Sequence, residues 1–282
     1  MDTVLEKIGY INGVYMPLRE IAIPPYDLGF LRGYAVFDVM PVEHGKPFLW
    51  EDHYERLCRS AEALHLTLPV DRESYNAILD TLIEKNPSAL KQSLRTVLSG
   101  GPSQDAFTPE KGRETFLVCI EETHIYLPNI YTDGVKIITL SFERILPQVK
   151  LANHVMAIRD LARREKNNAF EELYVTNGFI SEATQSNIFM VKGNVLVTTW
   201  DNVLRGITQK LTLHIAEQCG IVVEKRNITL QELLSADEVF ITSSSKHIVP
   251  VVRVDEMTIG DGRPGEMTQR LITAFEEFVE RY

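Results

Sequence analysis

The 282-residue sequence is poor in residues that mark disulfide-bonded or metal-binding proteins. Its three cysteines, Cys58, Cys119 and Cys219, lie far apart without a CxxC pair. We therefore expect reduced, mostly buried thiols in a cytoplasmic protein rather than a disulfide framework. Its seven histidines show no HxH or HExxH spacing, so we expect no zinc site and no other bound metal.

Long apolar runs and clusters of basic residues are also missing. No apolar run approaches the roughly 18 residues that a membrane-spanning helix needs. The opening residues 1–7 lack the apolar core of a signal peptide. The formal net charge is −10, whereas a nucleic-acid backbone is bound through clustered Lys and Arg. These absences argue against membrane and nucleic-acid partners and favour a cytoplasmic protein of ordinary globular composition.

Strand and helix signals are mixed along the chain. The pairs Asn12-Gly13 and Asn177-Gly178 predict hairpin turns between short strands. Apolar residues at helical spacing predict one helix from about Glu51, another over residues 151–166 and a last one over about 265–281. Because hairpins are frequent and no regular βαβ repeat is seen, the pattern favours an α+β fold over a doubly wound sheet.

A polar stretch containing Pro128 and Asp133-Gly134 is the best candidate for a linker. It divides the chain into a small N-terminal α+β domain over residues 1–122, a linker over 123–134 and a larger C-terminal α+β domain over 135–282. A chain of this length is long enough for two domains with their own cores.

Three segments offer groups with which a protein could hold pyridoxal phosphate (PLP). Lys150, between an apolar strand end and a predicted helix start, is either a solvated surface residue or a lysine that forms a Schiff base. Glu182 is either an exposed residue on a strand edge or a buried carboxylate paired with a cation, such as the protonated ring nitrogen of PLP. Gly206-Ile207-Thr208 opens a helix, whose free N–H groups and hydroxyl could bind a phosphate.

Two further features could complete a phosphate site. The run Thr242-Ser243-Ser244-Ser245 predicts a hydroxyl-rich turn after a strand over residues 238–241. Arg56, on the helix that begins near Glu51, could supply a bidentate positive charge, although it could equally lie on a solvated helix face. An amine, a carboxylate and an anion site together favour amino-group chemistry with PLP.

With these residues in place, the chain resembles the class IV (fold type IV) PLP-dependent aminotransferases over nearly its whole length. That family includes branched-chain aminotransferases, D-amino acid aminotransferases, (R)-selective amine transaminases and aminodeoxychorismate lyase. The ordered segments that carry the resemblance are Pro147-x-x-Lys150-x-x-Asn153, Ser181-Glu182-x-x-x-Ser186-Asn187-Ile188-Phe189, Leu204-x-Gly206-Ile207-Thr208 and Ala236-Asp237-Glu238-Val239-Phe240.

The resemblance implies a two-domain fold type IV enzyme with PLP between the domains, in a homodimer whose partner loop completes the site. It also implies a transaminase, in which Lys150 is the catalytic residue and binds the PLP aldehyde while Glu182 pairs with the ring nitrogen. One departure is His154, which stands where the family commonly has a tyrosine. The implied cofactor contacts are Lys150, Glu182, Arg56, His154, Asn187, Leu204, Gly206, Ile207, Thr208, Ser243 and Ser244.

The substrate carboxylate needs a cation, and Arg32 and Arg95 are the candidates, although each could instead be a structural ion-pair residue. The best-known D-amino acid enzymes use an Arg-x-His pair in the loop after the strand that bears Arg95. This chain has Gln104 and Ala106 there. The Leu-Arg-Gly-Tyr-x-x-Phe-Asp pattern around Arg32 resembles a less common group of D-amino acid transaminases, in which two arginines bind the carboxylate.

The branched-chain type usually has a tyrosine where this chain has Arg32 and a glycine where it has Val39. We therefore predict a D-amino acid transaminase, with Phe37 and Ser245 also in the substrate site. Three alternatives stay open. They are a branched-chain L-amino acid aminotransferase, a lyase of the aminodeoxychorismate type that releases pyruvate without an amino acceptor, and a non-enzymatic PLP-binding protein.

Overall fold

The structure, a computed structural model, describes residues 6–282. Most of residues 1–7, where we expect no signal peptide, therefore lie outside the described residues. Two units are distinguished by their internal contacts. Unit 1 extends to Ile125 and includes Val149–Asn153 and Tyr282, whereas unit 2 comprises Tyr126–Gln148 and His154–Arg281. The division into domains of residues 1–122 and 135–282 stays a prediction. That division places Val149–Asn153 in the larger domain, whereas these residues belong to unit 1.

Unit 1 contains a six-stranded sheet whose neighbouring strands are all antiparallel, in the order β2-β1-β6-β5-β3-β4. The predicted turn at Asn12-Gly13 joins β1 to β2 and is confirmed. Both residues have positive φ, as the favoured two-residue hairpin turn requires. The strands are β1 (Ile8–Ile11), β2 (Val14–Pro17), β3 (Ala35–Glu43), β4 (Lys46–Pro47), β5 (Gln92–Ser99) and β6 (Thr115–Glu122).

Two long helices supply apolar side chains to the core of unit 1. Leu57 and Leu79 are fully buried in one cluster with Phe116 of β6. The predicted helix near Glu51 is confirmed, and the Asp71 carboxylate accepts the Ser74 N–H at 2.8 Å as a helix cap. The unit contains α1 (Leu28–Arg32), α2 (Trp50–Ala63), α3 (Arg72–Lys85) and a 3-10 turn (Leu18–Glu20).

Unit 2 contains a ten-stranded mixed sheet, in the order β12-β11-β10-β14-β15-β7-β8-β9-β13, with β16 paired to β15. The predicted hairpin at Asn177-Gly178 joins β8 to β9 and is confirmed. The strands are β7 (Val135–Ser141), β8 (Glu171–Thr176), β9 (Phe179–Ala183), β10 (Asn187–Lys192), β11 (Val195–Thr198), β12 (Val222–Lys225), β13 (Ile228–Thr229), β14 (Glu238–Ser243), β15 (His247–Val254) and β16 (Met257–Thr258).

Unit 2 also contains four short helices and two longer ones. One of the longer helices, Glu266–Arg281, is the predicted last helix. Glu238 accepts the N–H groups of Met267 and Thr268, at 3.0 and 2.7 Å, and so satisfies the start of that helix. The helices are α4 (Asn129–Thr132), α5 (Val155–Arg159), α6 (Leu161–Lys166), α7 (Ile207–Gln218), α8 (Leu230–Leu234) and α9 (Glu266–Arg281).

The prediction of one helix over residues 151–166 was wrong. Leu151 forms a bridge with Val36 of β3, and the Ala152 N–H donates to the carbonyl of Ala35 at 3.0 Å. These residues are therefore extended because their backbone groups bond to a strand rather than to the next helical turn. Helix begins only at Val155 and is interrupted at Asp160.

The three cysteines are free and half-buried, so they are more accessible than predicted. Within residues 6–282, no helix combines the length and the apolar character that a membrane span demands. The same residues contain no group of three or more His, Cys, Asp or Glu side chains that could hold a metal ion.

Candidate active site

Lys150 is held by its backbone against β3 and α2 of unit 1. Its N–H donates to Ser60 Oγ at 3.2 Å, and its carbonyl accepts the Phe37 N–H at 3.0 Å. Its Nζ lies 4.6 Å from the centre of the Phe37 ring. Two hydrogen bonds thus fix the Lys150 backbone, and its amine contacts an aromatic ring, so the side chain begins from a defined position as a functional lysine requires.

Arg56 belongs to a buried cluster with Asp38 and His53. Arg56 donates from Nε and Nη2 to the two Asp38 oxygens, both at 2.8 Å, in a bidentate pair. His53 Nδ1 lies 2.7 Å from Asp38 Oδ1. All three side chains are almost fully buried. The predicted alternative for Arg56, a solvated helix face, therefore does not hold.

The charges in this cluster follow from its burial. Burial alone would raise the pKa of the Asp38 carboxyl, but Arg56 and then His53 hold that pKa far below its usual range. Burial lowers the pKa of His53, against the opposing effect of Asp38. At neutral pH the cluster is therefore a carboxylate between a guanidinium and a neutral imidazole.

The two candidate substrate arginines, both in unit 1, have different surroundings. Arg32 ends α1 and donates from Nε to the Ala106 carbonyl at 3.1 Å. Arg95, on β5, forms a bidentate pair with Glu121 of β6, with a shorter contact of 2.6 Å. The guanidinium of Arg95 lies 5.9 Å from the Phe37 ring centre. Phe37 is therefore a shared neighbour of Arg95 and Lys150.

Glu182 lies on β9 of unit 2 and is buried, so it is not an exposed edge residue. Its Oε1 accepts a hydrogen bond from Arg144 Nη1, and its Oε2 accepts the Leu204 N–H at 3.2 Å. Arg144 is itself fixed by a bond to the Pro147 carbonyl at 3.1 Å. A cation and an N–H donor thus favour the ionised form of this buried carboxylate.

The start of α7 is packed closely against β10. Gly206 is the N-cap, and no side chain caps the helix. A Cβ added to Gly206 would lie 2.0 Å from Asn187 Oδ1, so only glycine fits there. Asn187 Nδ2 also donates to the Leu204 carbonyl at 2.7 Å. Ile207 and Thr208 follow as the first helical residues, both buried, with the amide orientation of an anion site.

Hydroxyl groups without protein partners mark the end of β14. Thr242 Oγ1 and Ser243 Oγ are both buried, and neither forms a hydrogen bond within residues 6–282. Such orphaned hydroxyls are uncommon in folded proteins and call for an explanation such as a bound polar group. Ser244 is half-buried and Ser245 is exposed in the same turn.

The predicted residues are divided between the two units. His154 is at the start of α5, outside the helix proper. Three residues in these clusters, Asp38, His53 and Arg144, were absent from the predicted site. Asp38 carried a usable signal, because a lone aspartate within an apolar strand requires a partner. Unit 1 holds Arg32, Phe37, Arg56, Arg95 and Lys150, and unit 2 holds His154, Glu182, Asn187, Leu204, Gly206, Ile207, Thr208, Ser243, Ser244 and Ser245.

Comparison with known proteins identifies the family. The family described as Amino-transferase class IV matches residues 35–254, most of the chain. The chain belongs to the class IV aminotransferases. The predicted resemblance and the expected α+β fold of type IV are thereby confirmed. Class IV aminotransferases use PLP, which provides an electron sink for amino-group transfer when it is bound.

Relatives of this class IV aminotransferase carry different names. A protein of Methanocaldococcus jannaschii that bears the name of a branched-chain-amino-acid aminotransferase is 31% identical over 281 residues, covering 95% of each chain. The D-alanine aminotransferase of Bacillus licheniformis is 29% identical over 276 residues, again covering 95% of each. The solved branched-chain amino acid aminotransferase of Escherichia coli shares the fold with a TM-score of 0.89 at 23% identity, over 97% of this chain and 95% of that one.

The residues of this class IV aminotransferase fit the cofactor on structural grounds. Ser243 supplies a buried hydroxyl that has no hydrogen-bond partner within residues 6–282. Glu182 supplies a buried carboxylate whose charge suits a protonated ring nitrogen. The chain thus has donors for a phosphate and an acceptor for a pyridinium.

Proposed function

We propose that the protein is a D-amino acid transaminase, which exchanges an amino group between a D-amino acid and a 2-keto acid. The observation that carries this proposal is the contact of Arg32 with the Ala106 carbonyl. In the best-known D-amino acid enzymes the loop at that place carries the Arg-x-His pair, which this chain replaces with Gln104 and Ala106. Arg32 brings a cation to the same loop from a different part of the chain.

Arg95 would be the second cation for the substrate carboxylate. The Arg95 guanidinium carbon and the Lys150 Nζ lie 5.9 and 4.6 Å from the centre of the same Phe37 ring, so a carboxylate bound by Arg95 would meet the ring that the amine contacts. Glu121 holds Arg95 in a half-exposed pair, whose strength in water is modest. A substrate carboxylate could therefore share Arg95 with Glu121.

For the cofactor, we assign Lys150 to the PLP aldehyde and to movement of the proton at the substrate carbon. Glu182 would hold the proton on the ring nitrogen, since Arg144 and the Leu204 N–H favour its ionised form. Leu204 would also pack against the ring, and His154 would approach the phenolic oxygen in place of the family's tyrosine.

The phosphate would be held by donors from three places. Arg56 uses Nε and Nη2 for Asp38, which leaves Nη1 for an anion. The N–H groups and hydroxyl at the start of α7, from Gly206, Ile207 and Thr208, would supply the second set. The buried Ser243 hydroxyl and its neighbour Ser244 would supply the third, and Asn187 supports the α7 start.

Two substitutions test the carboxylate assignment. We expect Arg32→Ala and Arg95→Ala to lower kcat/KM for D-alanine, at least one of them by about 10- to 100-fold, because each removes a charge-assisted hydrogen bond of roughly 1.5–3 kcal/mol. Arg59→Ala is the matched control, since Arg59 is an exposed arginine on α2 that pairs with the exposed Glu55. If neither variant loses activity toward D-amino acids while Arg59→Ala behaves as wild type, the proposal is wrong.

The main competing function is a branched-chain L-amino acid aminotransferase. It is favoured by the name of the Methanocaldococcus jannaschii relative, which shares 31% identity with this chain. Under this alternative, Arg32 would be a structural residue, and Arg32→Ala would leave the reaction with L-leucine unchanged. A lyase would instead release pyruvate with no keto acid added.

We also propose that the enzyme is a cytoplasmic homodimer. Phe30 and Phe107 are each more than three-quarters exposed in unit 1, which is unusual for large apolar side chains. They flank Arg32 and Ala106 in sequence, so a partner that covers them would also cover the proposed substrate loop. Sedimentation showing only a 32.1 kDa species at micromolar concentration would refute the dimer.

A further inference from the structure

A buried ion pair in unit 2 is not used by the reaction as proposed. Lys246 and Glu171 are each about 98% buried and bond to each other through Nζ and Oε1. Lys246 Nζ also lies 5.5 Å from the Phe170 ring and 3.3 Å from Gln185 Oε1. A buried pair of this kind is costly to desolvate and often stabilises no more than two apolar residues would. Its presence therefore calls for a role besides stability.

The Glu171 carboxylate connects two turns. Its Oε1 also accepts the Ser186 hydroxyl at 2.7 Å, and its Oε2 accepts the Gln185 N–H at 2.9 Å, so it fixes the turn between β9 and β10. Lys246 closes the other turn, between β14 and β15, since its own N–H donates to the Ser243 carbonyl at 3.3 Å. One carboxylate thus fixes both turns.

Both turns lead directly to proposed cofactor contacts. The turn at Ser186 precedes Asn187, which bonds to Leu204 and fills the space beside Gly206. The turn closed by Lys246 contains Ser243, whose buried hydroxyl has no partner within residues 6–282. The ion pair therefore links the segment at the α7 start to the hydroxyl-rich turn, the two places in unit 2 to which we assign phosphate contacts.

We propose that Glu171 and Lys246 are positioning residues that hold the Ser243 turn and the α7 start at the spacing needed to bind the cofactor's phosphate. This inference rests on the proposed function. Neither residue touches the cofactor; each acts through the turn that it fixes. Loss of the ion pair should weaken binding of the phosphate group specifically. The reaction of the aldehyde with Lys150 should stay largely unchanged.

The test compares PLP with pyridoxal, which has the aldehyde but no phosphate, in the double variant Glu171→Gln/Lys246→Met. Removing both charges avoids leaving one buried charge unpaired, which would unfold the protein for an unrelated reason. The dissociation constants for PLP and pyridoxal are measured from the visible absorption band of the lysine-bound cofactor. We expect PLP affinity to fall about tenfold, the scale of one lost hydrogen bond, with pyridoxal affinity changed less than about twofold.

Glu238→Gln is the stability control, because it weakens the start of α9 in the same unit without touching either turn. It should lower the melting temperature and leave the ratio of PLP to pyridoxal affinity unchanged. An unchanged ratio in the double variant would overturn the inference, whether both affinities fall together or neither falls. Failure of the cofactor assignment looks different: wild-type protein would form no band with PLP, or the band would survive Lys150→Ala. Failure of the proposed D-amino acid specificity is different again, because the band would form but D-alanine would not discharge it.

Discussion

At the scale of single residues, the buried carboxylates of this enzyme decide which groups are charged. Asp38 and Glu182 are each buried and each paired with an arginine, Arg56 and Arg144. The two ion pairs differ in which of their members we propose meets the cofactor. Arg56 bonds to Asp38 through Nε and Nη2, and we propose that its Nη1 binds the phosphate, whereas we propose that Glu182 itself meets the ring nitrogen. Under this proposal, the same type of ion pair serves an anion in one place and a cation in the other.

His53 should make the stability of unit 1 depend on pH. Its folded-state pKa is below its ordinary value of about 6.5, so the unfolded chain binds more protons between these two pKa values. Stability should therefore be greatest above the ordinary value and should fall as the pH drops through it toward the folded-state value. The slope can reach about 1.4 kcal/mol per pH unit for one group. We expect His53→Asn to flatten urea-unfolding profiles of the apoprotein between about pH 5 and 7.

The control for this effect is His65→Asn. His65 is exposed, and its backbone has a φ of 55°, which asparagine tolerates well. That variant should retain the wild-type slope. A slope that is equally steep in His53→Asn would show that another group is responsible.

At the scale of elements, the start of α7 should be sensitive to the addition of a single methyl group. In Gly206→Ala, the new Cβ would overlap Asn187 Oδ1, and such overpacking costs roughly 1–3 kcal/mol. We expect a lower melting temperature and a PLP affinity at least about tenfold weaker, because the helix start must move away from Asn187. Glu217→Ala, on the exposed face of the same helix, should change neither quantity. Wild-type PLP affinity in Gly206→Ala would show that α7 does not bind the phosphate.

Local sequence signals correctly predicted the turns whose backbone geometry depends on the residues within the turn. The hairpins at Asn12-Gly13 and Asn177-Gly178 follow from turn geometry that those residues adopt readily. The prediction of one helix over residues 151–166 was wrong because Leu151 pairs with Val36, more than a hundred residues earlier in the chain. Helical spacing of apolar residues carries no information about such a distant strand.

Family motifs point to the residues that we propose are reactive, but not to the groups that contact them. Lys150 and Glu182 lie within recognisable segments, whereas Glu171 and Lys246 are 75 residues apart and meet only in the folded chain. Arg144 lies only six residues before Lys150 in the sequence, yet it was not predicted as the partner of Glu182. Its role depends on a contact across 38 residues that no short motif encodes.

At the scale of the whole molecule, family membership establishes a class IV aminotransferase, whereas the substrate that we propose rests on the side-chain pattern. Relatives of nearly equal identity carry D-alanine and branched-chain names, so overall similarity does not discriminate between them. The proposed preference for D-amino acids rests on the arginines at 32 and 95 and on the loop that has Gln104 and Ala106 in place of an Arg-x-His pair.

The most direct measurement is the half-reaction of the PLP-loaded protein without an amino acceptor. The protein is mixed with D-alanine or D-glutamate and, separately, with L-leucine. Loss of the visible band of the lysine-bound cofactor and formation of pyridoxamine phosphate are then followed. We predict conversion by the D-amino acids alone. Conversion by L-leucine alone would contradict the account and identify a branched-chain enzyme, and no conversion by either would contradict it in favour of a lyase.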